Sequence, residues 1–255
     1  MKVLVSDYDG TLCIKHNVSK ENIEAIHKFQ EAGNMFGIVT GRSMESLMDE
    51  VHKYNISYDF IITNNGGVLF NKQLVNLSTQ YIDKVKALEV IADIKQTSCV
   101  SYVVNDGYHR YKFINNLNGV DYKYANMEDN SEQEVELLNK INIAQIVLSL
   151  EDDKLAHQIA DTLNKKYGDV IEAYVNIRCV DIVPKGISKA NGVKEMCAHL
   201  SLIEEHVFAI GDSYNDVSMI ETFHGYTLEH ANEDIKMKAE YIFDSVASCI
   251  SYLMK

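Results

Sequence analysis

Val3-Leu4-Val5-Ser6-Asp7-Tyr8-Asp9-Gly10-Thr11 is a short apolar run that ends abruptly at two carboxylates, a glycine and a hydroxyl. Such a run followed by Gly reads as a buried parallel strand entering a loop, because Val and Leu suit a strand covered on both faces. Asp7 and Asp9 then stand at the carboxyl end of that strand, where open α/β sheets bind ligands. Two carboxylates two residues apart repel each other unless a cation lies between them. The pair therefore points to a hard metal ion, Mg2+ in first place, with several waters retained. For Asp-Gly alone, a polar turn is the competing reading.

The pattern repeats downstream. Ser19 reads as the N-cap of a helix with Ile23, Ile26 and Phe29 on one face, ended by Gly33. Met35 to Val39 is a second apolar strand, running into Thr40-Gly41-Arg42-Ser43 before a helix through Leu47 and Val51. Phe60-Ile61-Ile62 is a third, ending in Thr63-Asn64-Asn65-Gly66-Gly67. Strands joined by helices predict right-handed crossovers and a parallel sheet with all these polar tips on one edge.

From about Gln80 the pattern changes. A helix carries Val85, Leu88 and Ile91, and Cys99 to Val104 and Tyr108 to Phe113 flank Asn105-Asp106-Gly107, a hairpin signal. A strand over Ala144 to Leu150, a helix bearing Leu155, Ile159 and Leu163, and strands near Val170 to Val175 and Ile177 to Val183 follow. Hairpins interleaved with helices indicate an α+β insert with its own sheet, placed at 81–183. The first domain, 1–80 and 184–255, then resumes, with the single proline, Pro184, as a hinge marker. Ser188 caps a helix through Val193, Met196 and Leu200. The strand Val207-Phe208-Ala209-Ile210 ends in Gly211-Asp212-Ser213-Tyr214-Asn215-Asp216, and a helix near Val217, a strand near Tyr226, a helix around Ile235 to Ala239, a strand over Tyr241 to Phe243 and a last helix complete the chain.

Composition narrows the function classes. With 255 residues, 46% hydrophobic and 24% charged, the chain can bury one large core or two ordinary ones. Its formal charge of −13 argues against broad contact with nucleic acid or anionic membranes. No apolar run reaches the roughly 20 residues a membrane span needs, and acidic residues come too early for a signal peptide. Cys13, Cys99, Cys179, Cys197 and Cys249 have no zinc-ligand spacing and read as free thiols in a reducing compartment. A cytoplasmic protein is expected; its oligomeric state is not legible.

Four strand ends thus deliver Asp7 and Asp9, Thr40, Asn65 with its glycines, and Asp212 with Asp216, while Lys189 opens the helix leading to the last pair. Phosphoryl transfer needs such a set: a carboxylate nucleophile, a second carboxyl for proton transfer, a metal, and donors for phosphate oxygens. Taken together, these residues make the sequence resemble the haloacid dehalogenase superfamily of phosphatases, and in particular its Cof-like branch with a type C2B cap. Asp7-Tyr8-Asp9-Gly10-Thr11 matches the DxDGT motif, Thr40-Gly41-Arg42 the second motif, Gly186-Ile187-Ser188-Lys189 the third and Gly211 to Asp216 the fourth, GDxxND. The implied fold is a Rossmann-like α/β core with a parallel sheet and an inserted α+β cap.

The resemblance implies that Asp7 attacks phosphorus and becomes an aspartyl phosphate, and that Asp9 protonates the leaving alcohol and then activates water. Mg2+ would be held by the Asp7 side chain, the Asp9 backbone carbonyl and Asp212, with Asp216 orienting its waters. Thr40, Gly41, Gly10 and Arg42 would bind phosphate, and Lys189, rather than Lys185, would neutralise phosphate and nucleophile. A helix cap is the alternative role for Thr40. Asn215 would position Lys189 or phosphate, and Asn65 would serve either the loop or the ligand. Ala190 stands where the family often has Gly, and Thr227-Leu228-Glu229-His230-Ala231 replaces the usual Ala-Met-Gly-Asn-Ala, which bears on packing and substrate fit near His230.

The cap would close over the site and read the leaving group. It holds two of the three arginines, Arg110 and Arg178, which with His109 are candidates for substrate contact, ordinary surface roles being the alternative. The expected activity is a Mg2+-dependent phosphatase of small phosphorylated metabolites such as sugar phosphates. A phosphomutase and a phosphate-responsive receiver-type module are the alternatives.

Overall fold

The computed structural model describes residues 1–176 and 178–255, and these fall into two compact units. One comprises Met1–Arg42, Ser46–Ser78 and Ser188–Lys255, the other Ser43–Glu45 and Thr79–Ile187. They divide after Ser78 and before Ser188, a few residues from the boundaries expected at 80/81 and 183/184.

The first unit is built on β1 (Val3–Ser6), every residue of which is buried. It pairs in parallel with β2 (Met35–Val39) on one side and, across most of the sequence, with β11 (Val207–Ile210) on the other. Outward from these lie β3 (Phe60–Thr63), β4 (Val68–Asn71) and β5 (Asn76–Thr79) on one flank, and β12 (His224–Leu228) and β13 (Tyr241–Phe243) on the other.

The helices follow local signals. Ser19 caps α1 (Lys20–Glu31) by accepting from Asn22 N, and Ser188 caps α6 (Lys189–Leu200) by accepting from Asn191 N. Helices α2 (Met44–Tyr54), α7 (Val217–Thr222), α8 (Glu233–Lys236) and α9 (Val246–Leu253) complete the first unit's inventory, except that α2 begins within the short Ser43–Glu45 piece of the other unit. One face of the sheet packs Val3, Val5, Val39, Phe60 and Ile62 against Val193, Met196 and Cys197 of α6.

The strands expected in the sheet pair in parallel, β1 with β2 and β11, β2 with β3, β11 with β12 and β12 with β13. Strand β4, which the sequence did not signal, extends it antiparallel to β3. Asn64 to Gly67 turns the chain straight back, too few residues for a crossover. The eighth helix is Glu233–Lys236, following Asn232, rather than Ile235 to Ala239.

The second unit carries a five-stranded sheet in the order β7 (Arg110–Ile114), β6 (Ser101–Asn105), β8 (Gln145–Ser149), β10 (Cys179–Pro184), β9 (Ile171–Asn176). Each of its four neighbouring strand pairs is antiparallel. The expected hairpin turns over Asp106 to His109, where Gly107 has φ +103°. Ile177, where the last strand was expected to begin, lies outside the described residues.

Helices α3 (Lys84–Ile94), α4 (Glu134–Lys140) and α5 (Asp153–Tyr167) supply the apolar partners of one sheet face, which contributes Tyr102, Val104, Phe113, Ile146, Leu148, Val180 and Ile182. Helix α4 had no signal in the sequence pattern. On the other face, Tyr124 and Met127 pack on Val103, Val147 and Cys179. Their segment is fastened by Asp121, which accepts from Ser101, Ser149 and Tyr124 N and lies 3.1 Å from Lys112 Nζ.

Candidate active site

The residues expected at the sheet edge converge within the first unit. Asp7 follows β1, and its amide donates to the Ile210 carbonyl at 2.9 Å, fastening the first tip to the end of β11. Its carboxylate is buried. Oδ1 accepts from Lys189 Nζ at 2.5 Å, whereas Oδ2 has no hydrogen-bond partner. Lys189 is 1% exposed and also bonds Asp216 Oδ1 at 2.5 Å. Lys185, its competitor in sequence, is exposed and pairs with Glu172 at 3.2 Å.

Asp212 is placed by its neighbours. Thr11 Oγ1 donates to its Oδ1 at 2.6 Å. Gly10, with φ +89°, lets the backbone pass so close that a Cβ there would stand 2.6 Å from the same oxygen. One ligand atom each from Asp7, Asp212 and Asp216 lies within 4.8 Å of the others.

Asp216, expected to orient the waters of a metal, is fully buried. Its Oδ2 accepts from the amides of Asp212 at 3.0 Å and Ser213 at 2.9 Å, so both oxygens are engaged by protein groups. Its carboxylate shapes the loop and holds the lysine.

Charge explains the electrostatics. Three carboxylates share this pocket with one lysine. Burial first, and then the Asp216 carboxylate, push the Asp7 pKa well above the usual carboxylate range, with Lys189 acting in the opposite direction. Burial also raises Asp212, against the Thr11 hydrogen bond. For Lys189, burial disfavours the ammonium, but Asp216 and Asp7 overcome it and hold the pKa above the ordinary value. A largely buried all-oxygen set with excess negative charge and one uncommitted carboxylate oxygen fits a hard divalent cation. Asp7 and Asp212 could hold it.

The second tip is built by short-range bonds. Thr40 is buried, its amide donates to the Ile62 carbonyl, and its hydroxyl accepts from Arg42 N at 3.1 Å. It stands four residues before Met44, the first residue of α2, so its hydroxyl serves the tip rather than a helix cap. Arg42 forms a bidentate pair with Asp9, Nε and Nη2 each 2.7 Å from a carboxylate oxygen, and its guanidinium lies 4.8 Å from the Tyr8 ring centroid. Both Asp9 oxygens are thus committed to Arg42. The Asp9 side chain is 54% exposed.

The third tip braces the second. Asn64 N donates to the Arg42 carbonyl and Asn65 N to the Thr40 carbonyl. Asn65 Oδ1 accepts from Asn215 Nδ2 at 3.0 Å and would lie 3.0 Å from a Cβ at Gly41. Asn215 therefore meets the loop through Asn65. A Cβ at Gly66 would strike the Ser188 carbonyl, so glycine there lets the tip pack on the start of α6.

The match to known proteins agrees with this geometry. The sequence profile described as haloacid dehalogenase-like hydrolase matches residues 4–249. The chain belongs to the haloacid dehalogenase-like hydrolases. The 5-amino-6-(5-phospho-D-ribitylamino)uracil phosphatase YcsE of Bacillus subtilis is 26% identical over 251 residues, which cover 96% of this chain and 90% of that protein. Among solved structures, a HAD/COF-like hydrolase from Plasmodium vivax superposes with a TM-score of 0.84 at 21% identity, covering 100% of this chain and 95% of that one. A subclass IIB sugar phosphatase gives 0.81 at 20%, covering 100% and 99%. The fold is that of these haloacid dehalogenase-like structures.

Several contacts of this hydrolase site had no sequence signal of their own. Thr11 was read as part of a motif, yet its hydroxyl orients Asp212. His230 Nε2 lies 2.8 Å from the Gly10 carbonyl and 3.9 Å from Asp212 Oδ2, tying the departing segment to the first tip. The candidates in the second unit have partners there. His109 Nδ1 is 3.5 Å from Asp106, Arg110 Nε is 3.9 Å from Glu45, and Arg178 lies over the Tyr122 ring at 4.8 Å.

Proposed function

We propose that this hydrolase is a Mg2+-dependent phosphatase of small phosphomonoesters, working through an aspartyl phosphate on Asp7. The observation that carries the reading is the Asp7 carboxylate, buried, held through Oδ1 by Lys189 and with Oδ2 uncommitted beside Asp212. Mg2+ would be held by Asp7, Asp212 and the Asp9 carbonyl, and would neutralise charge between the nucleophile and the anionic phosphate.

The chain's own groups do the rest. The Thr40 hydroxyl, the Gly41 amide and Lys189 bind phosphate oxygens, with Gly10 and Arg42 completing the lining. Asp7 attacks phosphorus as the bond to the leaving oxygen breaks, and Asp9 gives that oxygen a proton. Asp9, now a carboxylate, takes a proton from the water that attacks the aspartyl phosphate, which restores Asp7 and releases phosphate. Arg42 occupies both Asp9 oxygens, so this carboxyl must leave its partner before it acts.

The first unit is read as the catalytic core and the second as the cap that selects the leaving group, with Arg110, Arg178 and His109 as contact candidates. Two Bacillus subtilis relatives, YcsE and YwtE, carry the name 5-amino-6-(5-phospho-D-ribitylamino)uracil phosphatase, and a structural neighbour is called a sugar phosphatase. These names support a hydroxyl-rich phosphorylated metabolite as substrate. Five buried free thiols support a reducing, cytoplasmic setting.

The test is phosphate release from a panel of sugar phosphates, polyol phosphates and the ribitylaminouracil phosphate, with and without Mg2+. Asp7→Asn serves as the blank. Turnover only with Mg2+ and Asp7 is expected; no Mg2+-dependent release from any compound refutes the reading, and an isomerised sugar phosphate in place of free phosphate makes the protein a mutase.

A further inference from the structure

Hydrogen-bonding capacity that the protein leaves unmet is concentrated at one place. Among the described residues, five buried side-chain atoms lack a partner, and four of them belong to Asp7, Thr63 and Asn64 on the carboxyl edge of the first sheet. The proposed chemistry uses the Asp7 oxygen. It does not use Asn64, which is fully buried with neither Oδ1 nor Nδ2 matched, or the adjacent Thr63 hydroxyl. Exchanging the two ends of the carboxamide leaves the deficit as it is.

The backbone sharpens the point. Asn64 and Asn65 both adopt left-handed conformations, with φ +53° and +57°. Glycine takes that conformation without strain, and the next two residues are glycines. Asn65 uses its side chain on Asn215, so its identity is explained. A carboxamide at 64 that served the turn alone would add buried polar atoms and return no bond. Its amide, donating to the Arg42 carbonyl at 2.9 Å, holds it against the phosphate-binding tip.

We propose that Asn64, with the Thr63 hydroxyl, is a specificity-determining subsite that takes an uncharged, hydroxyl-bearing part of the leaving alcohol. This rests on the phosphatase reading above and assigns recognition of the leaving group's hydroxyls to two named side chains of the first unit. A carboxamide offers a donor and an acceptor side by side, so its oxygen takes a hydroxyl proton while its NH2 donates to a neighbouring hydroxyl oxygen. Being neutral, it matches vicinal hydroxyls of a sugar or polyol rather than a second phosphate or a carboxylate. Asn64 is fully buried, so a substrate reaches it only through an opening motion.

The deciding variant is Asn64→Gly, which keeps the left-handed backbone and removes only the carboxamide. Its kcat/KM is compared with wild type on two substrates, the sugar or polyol phosphate that wild type turns over best and p-nitrophenyl phosphate, whose leaving group has no vicinal hydroxyls. The ratio of the two kcat/KM values is expected to fall about tenfold or more, chiefly through KM for the hydroxylated substrate, the loss associated with a pair of neutral hydrogen bonds. Thr63→Val should lower the ratio in the same direction. Equal losses on both substrates, or none, overturn the proposal, because a merely structural role moves both alike. Thermal unfolding checks the fold, and Asn64→Asp repeats the comparison if the glycine variant does not fold. Wild-type turnover of p-nitrophenyl phosphate without any hydroxylated substrate overturns this inference and spares the phosphatase; no turnover at all overturns both.

Discussion

Lys189→Met removes the one positive charge among two buried carboxylates and a partly buried third while nearly conserving volume. Lys189 is 1% exposed and bonds both Asp7 and Asp216 at 2.5 Å, so its loss strands two carboxylates from which water is excluded. Breaking such a pair costs about 3–5 kcal/mol. Proton uptake sets a ceiling for Asp7, whose pKa burial already raises. With an unfolded-state pKa of about 3.9, holding one Asp protonated at pH 7 costs at most about 4 kcal/mol, and at pH 5 about 1.5 kcal/mol.

The sign follows from the raised folded-state pKa. A carboxyl whose pKa is raised on folding lowers stability as pH climbs from the unfolded value towards the folded one, so the variant's deficit is small near pH 4 and largest at neutral pH. For a unit of this size the neutral deficit corresponds to roughly 10 °C in melting temperature. The measurement is thermal and urea unfolding of both proteins in EDTA at pH 5 and pH 7. A deficit below about 1 kcal/mol at pH 7, or one that is the same at both pH values, would show that Lys189 does not carry the charge balance of the site.

Two further outcomes follow from the same cluster. Gly10→Ala should abolish phosphatase turnover and lower the melting temperature, since it sets a methyl group against the Asp212 carboxylate at a backbone with φ +89°. Kinetics and calorimetry on the purified variant measure both effects, and retained activity would mean that the loop relaxes freely. Adding Mg2+ to EDTA-treated wild type at about 100 times its Kd should stabilise the protein by about 2.7 kcal/mol, and Asp212→Asn should erase most of that gain. An identical thermal shift in the variant would remove Asp212 from the cation site.

Much of this arrangement was legible because it is local. Strand runs that stop at Asp7, Thr40, Asn65 and Asp212 announce a sheet edge, and Ser19 and Ser188 announce helix starts through a single side-chain bond each. What escaped depends on partners far away in sequence. Nothing near Asp9 indicates that Arg42 will clamp it, and nothing near Asp216 indicates that its second oxygen will fold its own loop. Strands β4 and β5 were missed because Asn64 to Gly67 reads as a ligand tip, which conceals its other work as a reverse turn. Helix α4 was missed because only Leu138 of its seven residues is buried, leaving almost no apolar stripe to detect.

The pairing of β1 with β11 has a consequence in time. Thr11 and Asp212, which touch in the finished site, are 201 positions apart. A ribosome adding about 5–20 residues per second needs on the order of 10–40 s to traverse that interval. During it, β1 can pair with β2, but its other edge has no partner until Val207–Ile210 emerges. The second sheet draws all five of its strands from the chain made in between, so it can close first. The nascent protein thus carries Asp7 on a half-paired strand until β11 is made, and a chaperone that shields open strand edges has its opportunity in that interval.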